Sequence, residues 1–199
     1  MIAKRSMLVP ARPSELLRPI GLPVLFALLV GLAGQVRVPI PGNPVPFTLQ
    51  VVFVLLAGAF LRPVAAIASM TLFVTIGLGG LPVFSGHGAG LAYLLGPTGG
   101  YLLGFIAGAG LCSFLLNGRR DSLVRTVLAM TAGLAAVYAL GAVHLALHLG
   151  GDLSVALRVG VLPFLPAAGA KLVIAAAFST GTAGLFPRTS GRGHDGADS

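Results

Sequence analysis

Charge is what this sequence of 199 residues has least of. Only 9% of its residues are charged and 56% are hydrophobic, with a mean hydropathy of +0.96. A soluble domain carries about 25% charged residues, so this composition is that of a polytopic membrane protein. Acids are especially few. Glu15, Asp121, Asp152, Asp195 and Asp198 are the full set, and each falls in a terminus or a short connection. Proton- or sodium-driven carriers keep a carboxylate, or a histidine relay, at membrane depth, and no carboxylate lies there. No GxxxxGK[ST] phosphate loop occurs either, since GPTGGY at 96–101 lacks both the lysine and the preceding strand that such a loop needs. Neither common energy source is visible. Cys112 is the single cysteine and lies within an apolar run, which excludes an intrachain disulfide and reads as a small packing residue.

Cations are in excess, 13 Lys and Arg for a formal charge of +8. They are dispersed at the ends of apolar runs, which fits membrane orientation and not nucleic-acid binding. Six apolar segments stand between the polar interruptions, at Pro19–Val36, Phe47–Leu61, Val64–Leu81, Gly99–Leu116, Thr126–His148 and Val159–Leu185. The fold expected is therefore all-α, a bundle of six transmembrane helices. The second segment falls short of the roughly 20 residues a crossing needs, so part of the proline-rich stretch before it is expected to extend that helix. A basic lead followed by an apolar run also fits a signal peptide. With five further apolar segments behind it, the first is read as a retained helix. Lys4, Arg5, Arg12, Arg18, Arg62, Arg119, Arg120, Arg125, Arg188 and Arg192 fall on one side of such a bundle, against Arg37 and Arg158 on the other. The positive-inside rule then puts both termini in the cytoplasm of a multi-pass protein of the cell membrane. The chain divides into a cytoplasmic lead at 1–18, a membrane domain at 19–186 and a polar tail at 187–199 that reads as disordered.

Glycine and proline are abundant where charge is not. VFSGHGAGLAYLLGPTGGYLLGF at 83–105 holds seven glycines and no charge, and VRVPIPGNPVPFTLQ at 36–50 holds four prolines. The prolines make a stiff extended segment, with Thr48 and Gln50 at the mouth of the segment that follows. The glycines permit close backbone approach and an open-to-closed change. Both stretches emerge on the same side as the start of the sixth segment, where Lys171 lies several turns inside an apolar run. A lysine at a helix centre costs about 2.5–3.5 kcal/mol on insertion scales. It either snorkels to the surface or meets an anion, and with no carboxylate in any span that anion is best supplied by a ligand. A rigid wall, a pliable lid and a cation beneath them describe a pocket. His144 and His148 are one turn apart, but with no third ligand nearby in sequence they read as interfacial packing and not as a metal site. Ser85 and His87 are the pair an intramembrane hydrolase would use, though no GxSxG surrounds the serine.

GNPVPFTLQ, GLPVFSGHGAG and LLGPTGGYLLGF together resemble the BioY family, the biotin-binding S components of energy-coupling factor transporters, and the likeness runs from about Gln35 through the sixth segment. The resemblance implies a six-helix S component that binds biotin from outside, needs no cofactor, and obtains ATP hydrolysis from a membrane coupling subunit and an ATPase pair. It places Lys171 and Tyr101 at the pocket, with Ser85, Gly86 and His87 in the loop that closes over the ligand; Thr98 and Gln50 are expected to bind the substrate beside them. His87 stands where many members have a smaller or amide residue. Ala27 and Gly31, four apart on the first segment, are the small-residue face expected to meet the coupling subunit. One departure is specific. Where the family commonly reads PFLPGDxxK this chain reads PFLPAAGAK, so Ala167 and Ala168 replace the glycine and an aspartate expected to hydrogen-bond the ligand. Another small vitamin or a biotin relative is the alternative ligand; a stand-alone facilitator is a further class.

The cation asymmetry makes a direct prediction. Gly90→Cys labels with an impermeant thiol reagent from outside intact cells and Ser122→Cys does not; the reverse pattern would overturn the orientation.

Overall fold

The computed structural model describes residues 13–183. The cations Lys4, Arg5, Arg12, Arg188 and Arg192 and the tail at 187–199 lie outside the described residues, as do Asp195 and Asp198. Helix α1 spans Pro13–Ala33 and so begins before the expected start at Pro19. A two-stranded hairpin follows, β1 at Arg37–Val38 and β2 at Phe47–Thr48, antiparallel with Arg37 opposite Thr48. Next come α2 (Gln50–Phe60), α3 (Pro63–Leu78), a short α4 (Gly90–Leu94), α5 (Gly99–Leu116) and α6 (Leu123–His148). The chain closes with α7 (Leu153–Gly160), a 3-10 turn at Leu162–Phe164 and α8 (Leu165–Gly181).

Local chemistry sets the boundaries. Pro63 opens α3, where its missing N–H is not needed. Asn117 ends α5 in the left-handed region at φ 42. Asp152 caps α7 by accepting from the Ser154 and Val155 amides at 2.8 and 3.0 Å, and these bonds, with one from the Ser154 hydroxyl, hold its carboxyl below the usual carboxylate range.

Each of the six apolar segments contains a helix, but not every one of these helices has the length of a crossing. Among the described residues, Gly99–Leu116, Leu123–His148 and the run Leu153–Gly181 are long and apolar enough to cross a membrane, by length and composition. The apolar parts of α1, α2 and α3 are shorter. The proline-rich stretch does not lengthen α2, which has 11 residues and spans only about 16 Å. Prolines cannot donate the helical N–H. The Asn43 side chain instead accepts the Val45 amide at 2.9 Å, and its Nδ2 donates to the Val159 carbonyl at 2.6 Å. The sixth segment is likewise broken, with α7 and a 3-10 turn ahead of α8.

Helices α5 and α6 form the most intimate pair. A Cβ added to Gly108 would stand 2.6 Å from the Gly133 carbonyl oxygen, and one on Gly104 would stand 2.8 Å from the Val137 Cα. Only hydrogen at these positions lets the backbones meet. Cys112 is fully buried beside this seam, as a packing residue. Helix α1 is fastened to α3 by Ser69, whose hydroxyl donates to the Pro23 carbonyl at 2.6 Å. The expected partner face of α1 turns inward: Ala27 is 4% exposed and Gly31 lies against Val83. Those small residues serve packing within the chain, because α1 uses that face to reach α3 and the glycine-rich loop. At the far end, Arg120 is buried, with its guanidinium over the Phe60 ring and 3.5 Å from the Ser179 carbonyl. The ends of α2 and α8 and the α5–α6 loop thus converge around one cation.

Overpacking a tight interface costs about 1–3 kcal/mol, so Gly108→Leu lowers the melting temperature of the purified protein in detergent. Gly21→Ala, facing open space, leaves it close to the parent. Equal melting for both variants would mean that the seam is not tight.

Candidate functional site

At the end opposite Arg120 the hairpin, the glycine-rich loop and the first turns of α5 and α8 enclose a cavity. The proline-rich hairpin supplies one wall, from Val45 to Thr48, and α2 continues it with Gln50, Val51 and Leu55. Opposite stand Thr98, Tyr101, Leu102 and Phe105 of α5 with Tyr138 of α6; Phe164, Ala168 and Lys171 close the side, and Ser85 and Tyr93 form the roof. The walls are mostly apolar and aromatic, and the rings of Phe47 and Phe164 are stacked 6.3 Å apart.

Lys171 is the only charged residue lining the cavity among the described residues. It sits in the second turn of α8, half-buried, and reaches across to the hairpin rather than outward to the surface. Its Nζ donates to the Thr48 carbonyl at 2.6 Å and stands 3.4 Å from the centroid of the Phe47 ring. A carbonyl and an aromatic face both favour a cation, but neither neutralises it. Asp121 is paired with Arg125 on the surface at 2.7 Å, and Asp152 is engaged in capping α7. Ala168 adds only a methyl group to the wall.

Of the other polar residues that line this cavity, two are nearly buried. Gln50 is 3% exposed and Ser85 is 8% exposed, and neither Gln50 Nε2 nor Ser85 Oγ has a hydrogen-bond partner. Buried polar atoms are rarely left so, because an unmade bond costs about 1–3 kcal/mol. A lone cation and two unpartnered polar groups in an apolar cavity are suited to a ligand with an anionic end, an apolar body and hydrogen-bonding groups.

The site residues expected from sequence divide into two sets. Lys171, Tyr101, Ser85, Thr98 and Gln50 all line the cavity; Gly86 and His87 do not. His87 is exposed, with φ 63, and its amide, not its ring, is engaged. Ser85 and His87 form no nucleophile–base pair, since the Ser85 hydroxyl has no hydrogen-bond partner. Tyr101 presents its ring, but its hydroxyl is not directed to a ligand: it donates to the Gly160 carbonyl at 2.8 Å, and the ring lies against Gly141. His144 and His148 meet backbone, with their Nε2 atoms 3.0 and 2.8 Å from the carbonyls of Gly96 and Leu95. They brace the passage from α4 to α5.

Sequence reading missed Phe47, Tyr93, Phe105, Tyr138 and Phe164 as lining residues. Phe47 and Phe164 stand within the proline motifs PVPFTLQ and PFLP, and those motifs carried the signal. Tyr138 had none, because in an apolar helix only the packing of α6 on α5 determines which face looks into the cavity.

The sequence profile of the BioY family matches residues 6–188. A biotin transporter BioY from Thermotoga maritima is 38% identical over 152 residues, 76% of this chain and 88% of the relative. A probable biotin transporter BioY from Pyrococcus horikoshii is 36% identical over 148 residues, 74% of this chain and 85% of the relative. The crystal structure of an S-component for biotin from an ECF-type ABC transporter has the same fold, with a TM-score of 0.80 at 24% identity, covering 89% of this chain and all of that one.

The Tyr101 geometry predicts a stability effect. Tyr101→Phe strands the Gly160 carbonyl and destabilises the fold by about 1–3 kcal/mol, read as a lower melting temperature in detergent. An unchanged melt would remove the hydroxyl from the support of α7.

Proposed function

The chain belongs to the BioY family, and from that premise we propose the way in which it captures biotin. It is the substrate-capture membrane component of a biotin uptake transporter, not an enzyme; its relatives are biotin transporters. The observation that carries the reading is Lys171, a single cation in an apolar cavity with no acid among the lining residues. Biotin has a fused apolar ring body, a ureido group that donates and accepts hydrogen bonds, and a carboxylate that is anionic at neutral pH. A carboxylate in a low-dielectric site needs a cation or several aligned donors. Lys171 has three N–H donors, one of them directed at Thr48, so it can hold both the hairpin and the carboxylate. The rings of Tyr101, Phe105, Tyr138 and Phe164 offer the apolar body its walls, and Gln50 and Ser85 offer hydrogen bonds to the ureido group.

The wider arrangement extends this proposal. Helices α1, α2, α3, α5, α6 and α8 are the six crossings. Both termini are cytoplasmic, so the hairpin, the glycine-rich loop and α7 lie outside while Arg62, Arg119, Arg120 and Arg125 lie at the cytoplasmic end. The cavity then opens outward, where the vitamin arrives. ATP hydrolysis comes from a membrane coupling subunit and an ATPase pair. With Ala27 and Gly31 turned inward, the face of α1 open to that subunit or to lipid is the one bearing Leu25, Leu28 and Leu32, all exposed.

Losing a desolvated charged hydrogen bond costs about 2–5 kcal/mol in binding, so Lys171→Ala weakens biotin binding by more than about tenfold. Radiolabelled biotin and purified protein in detergent measure this, with related vitamins as competitors. An amide derivative of biotin, without the negative tail, loses far less from the same substitution. Equal losses for acid and amide would remove the charge pairing, and no loss for either would return Lys171 to its hairpin contacts alone.

A further inference from the structure

The roof of the cavity is a tight turn. Phe84 and Gly88 are bridged in antiparallel fashion, and Gly86 and His87 between them both have positive φ, 67 and 63. At its root the turn is anchored in the core. The Phe84 ring is fully buried, packs on Gly77, and meets the rings of Phe73 and Tyr93 with centroids 5.6 and 5.1 Å away. Its tip has no such apolar anchor, yet Ser85, at the start of that tip, is the residue that faces the cavity.

The tip is held from α4 by the Tyr93 hydroxyl, which donates to the Ser85 carbonyl at 3.3 Å, and from the side by the end of α1, where one amide makes two contacts. The Gln35 Oε1 accepts the His87 N–H at 2.9 Å, and its Nε2 donates to the Phe84 carbonyl at 3.2 Å. The same Nε2 lies 3.1 Å from the Gly31 carbonyl one turn back on α1, which fixes the side chain's direction. Beside it the Gly86 amide donates to the Gly34 carbonyl at 3.3 Å, and the Arg37 guanidinium lies against Gly86. A primary amide is the side chain suited to this place, since one planar group offers both an acceptor and a donor. Here it uses them on the N–H and C=O groups at the two ends of the turn.

We infer that Gln35 is the latch of the biotin pocket: a positioning residue that holds the turn Ser85–His87 closed over the cavity and sets how long a ligand stays. It acts on backbone groups, so the His87 side chain is free to differ. It touches the roof and not the cavity, so it controls release more than recognition. The kinetic part of this inference rests on the biotin reading; the closure itself does not.

Two measurements on the full chain in detergent test it. Breaking both hydrogen bonds with Gln35→Met, which is similar in length but offers no amide, raises the biotin dissociation rate about tenfold. The association rate falls by no more than about twofold, since the pocket walls are untouched and most affinity changes lie in dissociation. The second measurement is amide hydrogen exchange without ligand: Gln35→Met speeds exchange at His87 while leaving the α5 amides protected as in the parent. Dissociation and His87 exchange both unchanged in Gln35→Met would overturn the latch. So would faster exchange throughout α5, which marks a general loss of structure, or a fall confined to the association rate. If the parent itself does not bind biotin, the ligand reading fails, and the His87 exchange still decides whether Gln35 closes the turn.

Discussion

The backbone contact between α5 and α6 is the constraint on which the pocket depends. Within a bilayer apolar side chains gain little by leaving lipid for protein, so helices associate through close packing and hydrogen bonds. Gly104 and Gly108 on one helix and Gly133 on the other bring the two main chains together, and Gly141 leaves the slot that the Tyr101 ring fills. From that slot the Tyr101 hydroxyl reaches the end of α7, which in turn takes the hairpin through Asn43. A seam of missing side chains is thereby connected, in three contacts, to the wall on the far side of the cavity.

That wall puts a small number of polar groups to effective use. The hairpin is extended backbone, and the prolines that keep it so also remove N–H groups which an apolar setting would leave unpaired. The Thr48 carbonyl is turned to Lys171, and the Phe47 ring lies beneath the ammonium group. The lysine is thus held at the cavity edge without an acid. No acid stands among the lining residues, so the cation's field is not shared with an internal carboxylate.

Much of the membrane class and the pocket could be read from the sequence. The absence of acids and of a phosphate loop pointed to a carrier without its own energy source. The glycine and proline stretches located the lid and wall, and five of the seven residues expected at the ligand line the cavity. The errors share a physical cause. Proline content showed that 36–50 was extended but not that Asn43 folds it into a hairpin, so α2 was expected to be longer than it is. Small residues at Ala27 and Gly31 marked a close contact but not whether the partner was another chain or the chain's own Val83.

Composition, the spacing of charges and the positions of glycine and proline are local properties, and they determined by themselves that this is a multi-pass helical protein with a glycine-rich loop, a stiff proline-rich segment and one lysine inside an apolar run. Which groups meet was decided only in three dimensions. The tyrosine hydroxyl at 101 belongs to α7 and not to the ligand because Gly160, 59 residues later, is brought to 2.8 Å. Gln35 became the holder of the lid because α1 ends beside a turn about 50 residues away in the chain. A donor in the sequence states what it can bond to; the packing of the helices decides which acceptor comes within reach.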